Sequence, residues 1–210
     1  LGPFPFVSEC GTNMTMSQDG PGQPRRRRPP RPLDAARLEE LALAYVARFA
    51  TSAGRLEAYL ARKLRERGWE DEGEAAPAAL VERFVAKGWV DDAGWGRMRT
   101  SGLLSRGYGA RRIAEALRAG GISEEIRDSL APGEADRREA AAAYARRRRL
   151  GPHGPALPRD AALRARQREK QLAAMLRAGH DFAAAARIVD AASADEIARW
   201  VRDAAEDQDR

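Results

Sequence analysis

Four consecutive arginines, Arg146-Arg147-Arg148-Arg149, are the residues of this chain best suited to chemistry, and that chemistry is anion recognition. A guanidinium keeps its charge at any physiological pH and presents a planar fork of donors that matches phosphate or carboxylate oxygens. At about 3.6 residues per turn, four in a row cannot share one helix face. All of them reach solvent only if the helix ends there, which the following Leu150-Gly151-Pro152 predicts. Two readings compete: complementarity to the negative end of a helix dipole, and contact with phosphates or an acidic surface. Further along, Arg164, Arg168 and Gln171 fall in one row at steps of four and three, with Arg166 and Lys170 in a second. Such a face is either merely solvated or an extension of the arginine cluster. Arg111 and Arg112 stand at the start of another helix, where the dipole disfavours cations. Contact with a partner accounts for them, or pairing of Arg111 with Glu115 at i+4.

Other chemistries find no support. His153 in a Gly/Pro loop and His180 after a helix-ending glycine have no cysteine neighbours, so they make no zinc site. Asp91-Asp92 reads as an N-cap pair rather than as metal ligands. There is no Ser-His-Asp order, phosphate-cradling glycine loop or catalytic carboxylate pair. The reading is therefore of a protein that is not an enzyme, with no catalytic residue, metal or cofactor. Trp69, Trp89 and Trp95 follow helix-ending glycines or sit on an apolar face, which predicts core packing rather than base stacking. Tyr108, between two glycines, is the aromatic expected at the surface.

Charge is unevenly placed along the 210 residues. The net +6 divides into +3 over residues 1–33, 0 over 34–131 and +3 over 132–210, and within the last part 137–170 alone carries +8. A local excess of this size marks an anionic partner better than overall charge does. Thirty-four of the 37 basic residues are arginine, a bias that a GC-rich genome would also produce. The single cysteine, Cys10, lies outside the expected folded region, so no intrachain disulfide is expected and a reducing cytosol fits. No apolar run is long enough to span a membrane. Residues 1–33, rich in Gly and Pro and ending in Arg25-Arg26-Arg27-Arg28-Pro29-Pro30-Arg31-Pro32, read as a disordered basic tail, and 204–210 as a frayed acidic one. The first residue is Leu1, and the expected translation start is Met14 or Met16.

What must position the arginines is helical. Leucine, arginine, two spacers and glycine recur at Leu64–Gly68, at Leu117–Gly121, and at Leu176–Gly179 with the glycine one place early. The leucines lie 53 and 59 residues apart, and each copy ends an amphipathic run. Recurrence at a nearly fixed period predicts one small helical unit used three times. Asp34 caps a helix with Leu38, Leu41, Ala42, Tyr45, Val46 and Phe49 on one face, and a second follows Thr51-Ser52 with Leu56, Tyr59, Leu60 and Leu64 inward. A third carries Leu80, Val81, Phe84 and Val85. The next unit presents Trp95, Met98, Leu103 or Leu104, then Ile113, Ala116 and Leu117, then Ile126 and Leu130. The last runs from Glu134 through the Gly151–Pro158 loop to a long helix with Leu163, Leu172, Met175 and Leu176. A short helix with Phe182, Ile188 and Val189 follows, then a C-terminal helix opened by the capping box Ser193-Ala194-Asp195-Glu196. No strand is expected. The predicted units are 34–89, 90–132 and 133–203.

Two segments carry a resemblance. Gly88-Trp89-Val90-Asp91-Asp92-Ala93-Gly94-Trp95-Gly96-Arg97 precedes Gly109-Ala110-Arg111-Arg112-Ile113-Ala114-Glu115-Ala116-Leu117 and then Gly121-Ile122. Together they resemble the central repeat of the RecX family, bacterial regulators of RecA recombinase. Tyr45–Gly68 is similar to that family's opening repeat. The arginine-rich helix, the Gly-Pro loop and the Leu176-Arg177-Ala178-Gly179 ending are similar to its closing one. Gly96 stands where the family usually has alanine, and His180 where an aromatic is common. The resemblance implies three tandem three-helix, helix-turn-helix-like repeats in an elongated, curved array. It also implies docking along the groove of a RecA–DNA filament and inhibition of strand exchange in DNA repair and recombination. The expected protein is a cytoplasmic monomer whose basic third unit meets single- or double-stranded DNA or acidic RecA surface through Arg146–Arg149, Arg164, Arg166, Arg168 and Lys170, with Arg111 and Arg112 beside it. The alternatives are an autonomous DNA-binding helical-repeat protein and a helical scaffold for another acidic protein.

Overall fold

Helix starts follow the caps that the sequence supplies. Asp34, Asp91, Ser123, Asp160 and Asp181 each accept a hydrogen bond from the backbone N–H three residues on. Ser193 accepts from Glu196 N at 3.2 Å, while the Glu196 carboxylate reaches back to Ala192 N at 2.9 Å. These bonds satisfy the donors that a helix leaves open in its first turn.

The computed structural model describes residues 31–156 and 158–208. The helices are α1 (Ala35–Arg48), α2 (Ala53–Arg67), α3 (Pro77–Ala86), α4 (Asp92–Leu104), α5 (Ala110–Ala119), α6 (Glu124–Ser129), α7 (Glu134–Arg148), α8 (Ala161–Arg177), α9 (Phe182–Val189) and α10 (Ala194–Gln208). A 3-10 turn, Gly151–His153, precedes α8, and no strand of a sheet occurs among the described residues. Cys10, Met14, Met16 and Arg25–Arg28 lie outside the described residues.

Three separate clusters of apolar side chains hold the helices together. The first joins α1, α2 and α3 around Leu56, Leu60 and Phe84. The second joins α4, α5 and α6 around Trp95, Ile113 and Leu117. The third joins α7, α8, α9 and α10 around Ala145, Met175, Ile188 and Ile197. Burial of these side chains is the main term favouring each bundle, at about 1.5–3 kcal/mol for a large aliphatic or aromatic residue.

Neighbouring bundles meet through the ends of the recurring leucine-arginine-glycine helices. The start of α2 lies against the end of α5, so close that a Cβ on Gly54 would stand 2.7 Å from Gly121 Cα. Ser52, whose hydroxyl makes no cap bond, donates it instead to the Gly120 carbonyl, and Asp92 accepts from Ala53 N at 2.7 Å. In the same way the start of α5 lies against the end of α8. Gly109 N donates to Ala178 O at 3.0 Å and Arg111 N to Gly179 O at 3.1 Å. The first copy of the motif receives no preceding helix among the described residues. Its Gly68 carbonyl accepts from Leu33 N at 3.0 Å.

Several expectations are corrected. Leu33, read as tail, is fully buried because its backbone pairs with Gly68 and Glu70. Ala204, also read as tail, is buried on α10. Phe49 is 53% exposed because it lies one residue past α1 in extended conformation and leaves the helix face. Met98 is also exposed. So is Leu163, because α8 outruns the third core: residues 161–170 have no buried member, and burial begins at Gln171.

Candidate anion-binding surface

The arginine run reaches solvent in the way that the sequence requires. α7 stops at Arg148, and Arg149 turns left-handed at φ 55°. The fourth arginine thus leaves the helical path, and all four side chains are exposed while Leu150 returns to the core. Arg148 and Arg149 make no ion pair or side-chain hydrogen bond among the described residues. Arg147 is placed differently. Its guanidinium carbon lies 5.9 Å from the Tyr108 ring centre and 5.7 Å from that of Tyr144, so it packs over two aromatic faces at a boundary between bundles. Arg146 lies near His153, whose pKa is held below its ordinary 6.5 by burial first and by this cation second.

The two rows on α8 divide by role. Arg168 grips Asp190 with two bonds of 2.6 Å, and the pairing draws the Asp190 carboxyl below its ordinary pKa. Arg164 donates to the carbonyls of Pro158 and Arg159, bracing the loop before α8. Gln171 is buried and accepts from Gly151 N at 2.8 Å. The first row is therefore tied to the protein's own backbone and side chains. Arg166 and Lys170, in the second row, are exposed and without an ion pair among the described residues.

Arg111 and Arg112 prove to be joint residues. Arg111 donates from its guanidinium to the Leu176 carbonyl, so a cation on the first turn of α5 serves the carbonyl end of α8. Both arginines also pair with Glu115, at 3.9 and 3.3 Å. Arg138, close to Arg146 in sequence, is held by Glu134 at 2.7 Å and by the Trp200 carbonyl.

The aromatic expectations divide too. Trp95 is buried, but Trp89 is 47% exposed, standing edge-on to Phe84 with Lys87 Nζ 4.5 Å from its ring centre. Tyr108 is half-buried rather than exposed, because Arg106 and Arg147 lie over its ring. Sequence reasoning missed Arg106, and its only local signal was its place two residues from that tyrosine. Asp92 proves to be the acceptor for Ala53 N, besides its place in the first turn of α4. No cluster of three or more metal-ligating side chains occurs among the described residues.

No family model matches the chain. A protein of Myxococcus xanthus named Regulatory protein RecX is 30% identical over 187 residues, covering 84% of this chain and 98% of that protein. The chain belongs to the RecX family. Two further RecX proteins agree over shorter spans. That of Mycobacterium sp. strain KMS is 34% identical over 59% of the chain and 57% of its own length. That of Thermus thermophilus is 36% identical over 51% of the chain and 71% of its own length. The crystal structure of RecX from Lactobacillus salivarius shares the fold at a TM-score of 0.53 and 14% identity, over 80% of this chain and 96% of that one. A second RecX crystal structure gives 0.54 at 18% identity, over 74% and 71%.

The two departures from the RecX pattern have structural accounts. A Cβ on Gly96 would stand 2.5 Å from Leu130 Cδ1, so Leu130 occupies the space that an alanine methyl would take. His180 fills an aromatic's place: its ring lies 5.7 Å from that of Tyr144, and its Nε2 lies 3.1 Å from the Gly107 carbonyl. No helix of the described residues is long and apolar enough to cross a membrane.

Proposed function

We propose that this chain regulates RecA by binding the RecA–DNA filament and lowering its ATPase and strand-exchange activity, without performing chemistry of its own. The observation that carries the reading is the match over 98% of a protein named Regulatory protein RecX. The contact surface in this reading is the unpaired part of the cationic set, Arg148, Arg149, Arg166 and Lys170, with Arg146 and Arg147 beside it. Arg111, Arg164 and Arg168 support it through internal bonds that hold α5, α8 and the loop before α8 in place, while the Arg112 guanidinium pairs with Glu115 on its own helix. Exposed guanidinium groups without internal partners lose no existing bond when they meet a phosphate or carboxylate, and that supports the assignment.

The test is co-sedimentation with RecA filaments assembled on single-stranded DNA. Wild-type chain is expected in the pellet, and Arg148→Glu/Arg149→Glu/Lys170→Glu in the supernatant with an unchanged helical circular-dichroism signal. Equal pelleting of both would remove the cationic set from the interface. Absence of wild-type chain from the pellet would remove the filament as partner.

A further inference from the structure

The geometry points to a second anion seat, a groove between the first two bundles that takes the phosphodiester backbone of a single nucleic-acid strand. It is lined by four arginines that are far apart in sequence: Arg55 on α2, Arg99 on α4, Arg106 in the turn after α4, and Arg112 on α5, with Tyr108 beside them. Its volume is about 490 Å³. The one carboxylate in its lining, Glu115, is already engaged by Arg111 and Arg112. The joint that sets α2 against Gly120 and Gly121 fixes Arg55 relative to the rest.

The free valences point outward. The Arg99 side chain is exposed with no ion pair or hydrogen bond among the described residues. Arg106 uses Nε to bind the Gly102 carbonyl at 2.8 Å and lies over Tyr108, which leaves its terminal amino groups to a ligand. The Arg55 guanidinium carbon lies 5.7 Å from the Trp95 ring centre, a cation–π contact that orients an exposed side chain. Arg147 lies over the same Tyr108 as Arg106 and belongs to the Arg146–Arg149 run, so one aromatic ring joins the arginines of this groove to the end of α7.

Size and chemistry choose the occupant. A cleft of this volume is on the scale of about 300–1,000 Å³ that holds small ligands, and a folded acidic surface needs about 800 Å² of matching face. A thin polyanion fits it. Guanidinium forks pair bidentately with phosphate oxygens, and arginine planes beside a tyrosine also accept stacked bases. The same phosphate chemistry belongs to a free nucleotide, but the continuity toward Arg147 favours a chain of phosphates over one. The seat does not depend on RecA, so its test leaves RecA out.

The experiment measures anisotropy of a fluorescein-labelled oligothymidylate against the full chain across a salt series. Wild type is expected to bind with affinity falling steeply in salt. Arg99→Gln/Arg106→Gln should flatten the log–log slope by about 1.4, at about 0.7 per lost phosphate contact. Arg199→Gln/Arg202→Gln, which removes equal charge from exposed positions on α10, should leave the slope unchanged. Arg99→Gln alone, at an exposed residue with no internal partner, should give half the groove effect and keeps the test independent of folding. Failure of wild type to bind, or an equal change in both double variants, overturns the groove. Competition by ATP as effective, per phosphate, as that by unlabelled oligonucleotide makes it a nucleotide site and overturns the strand.

Discussion

Gly121 and Gly179 have two constraints at once. Their φ values of 75° and 95° belong to the left-handed region, and a Cβ would stand 2.7 Å from Gly54 Cα in one case and 2.4 Å from Arg112 N in the other. Gly68, in the first copy of the motif, has φ 81° but open space around it. Alanine at Gly68 should therefore cost only the left-handed penalty of about 1–2 kcal/mol. At Gly121 or Gly179 the backbone clash adds to it, for a total of about 3 kcal/mol or more. In thermal melts at about 2–4 °C per kcal/mol, Gly68→Ala should lower the midpoint by about 2–8 °C. Gly121→Ala and Gly179→Ala should lower it by about 6–12 °C or more. Equal losses at all three would deny the joints. His180 gives a second residue-scale test. Burial, the larger effect, holds its pKa below the ordinary 6.5 against the opposing Gly107 carbonyl and Asp181 charge, and burial lowers His153 as well. The folded state thus keeps both rings neutral while the unfolded chain binds protons near 6.5, so stability is full above that pH and falls below it. Glu134 and Asp190 titrate below their ordinary 4.5 and 3.8, a more acidic window. The drop in melting midpoint between about pH 7.5 and 5.5 should shrink in His180→Gln/His153→Gln. An unchanged drop would assign it elsewhere.

Elements show why the sequence is legible only in part. Caps and the spacing of apolar residues announce the helices, because both are local signals, although α7 buries only alanines and α2, α3, α5 and α7 have no side-chain cap bond. The recurring leucine-arginine-glycine ending is visible as a pattern, but its physical purpose is not. Its purpose is a long-range contact, the start of one bundle's second helix on the end of the next, and only Gly54 facing Gly121 and Gly109 facing Gly179 display it. For the same reason Arg111 reads as a free cation in the sequence, and only the structure sets the Leu176 carbonyl beside it. Arg168 reads the same way without Asp190 in view. Charge in a sequence announces itself, whereas the partner that neutralises it lies on another helix. Leu33 reads as tail because it follows a run of prolines and arginines, and only its place in the first apolar cluster and its backbone pairing with Gly68 and Glu70 explain its burial. At this scale the buried Ser52–Gly120 bond is testable. Ser52→Ala should destabilise by about 1–3 kcal/mol, since it strands a buried carbonyl. No change in chemical denaturation would show that the joint rests on packing alone.

For the molecule, the result is a set of helical bundles closed around apolar clusters, with Trp69 Nε1 and Thr100 Oγ1 buried without a partner among the described residues and the excess positive charge left outside. Arg99, Arg148, Arg149, Arg166 and Lys170 come from three different helices and the turn after α7, and the third core leaves the first half of α8 bare. Binding to RecA–DNA filaments should weaken as salt rises from about 50 to 200 mM, with a slope that reports the number of phosphates engaged. A flat salt dependence would move the interface to uncharged surface. The most direct measurement is ATP hydrolysis by RecA on single-stranded DNA as this chain is titrated in. The account predicts that hydrolysis and strand exchange fall at amounts below one chain per RecA, and hydrolysis unaltered up to equimolar chain would contradict it.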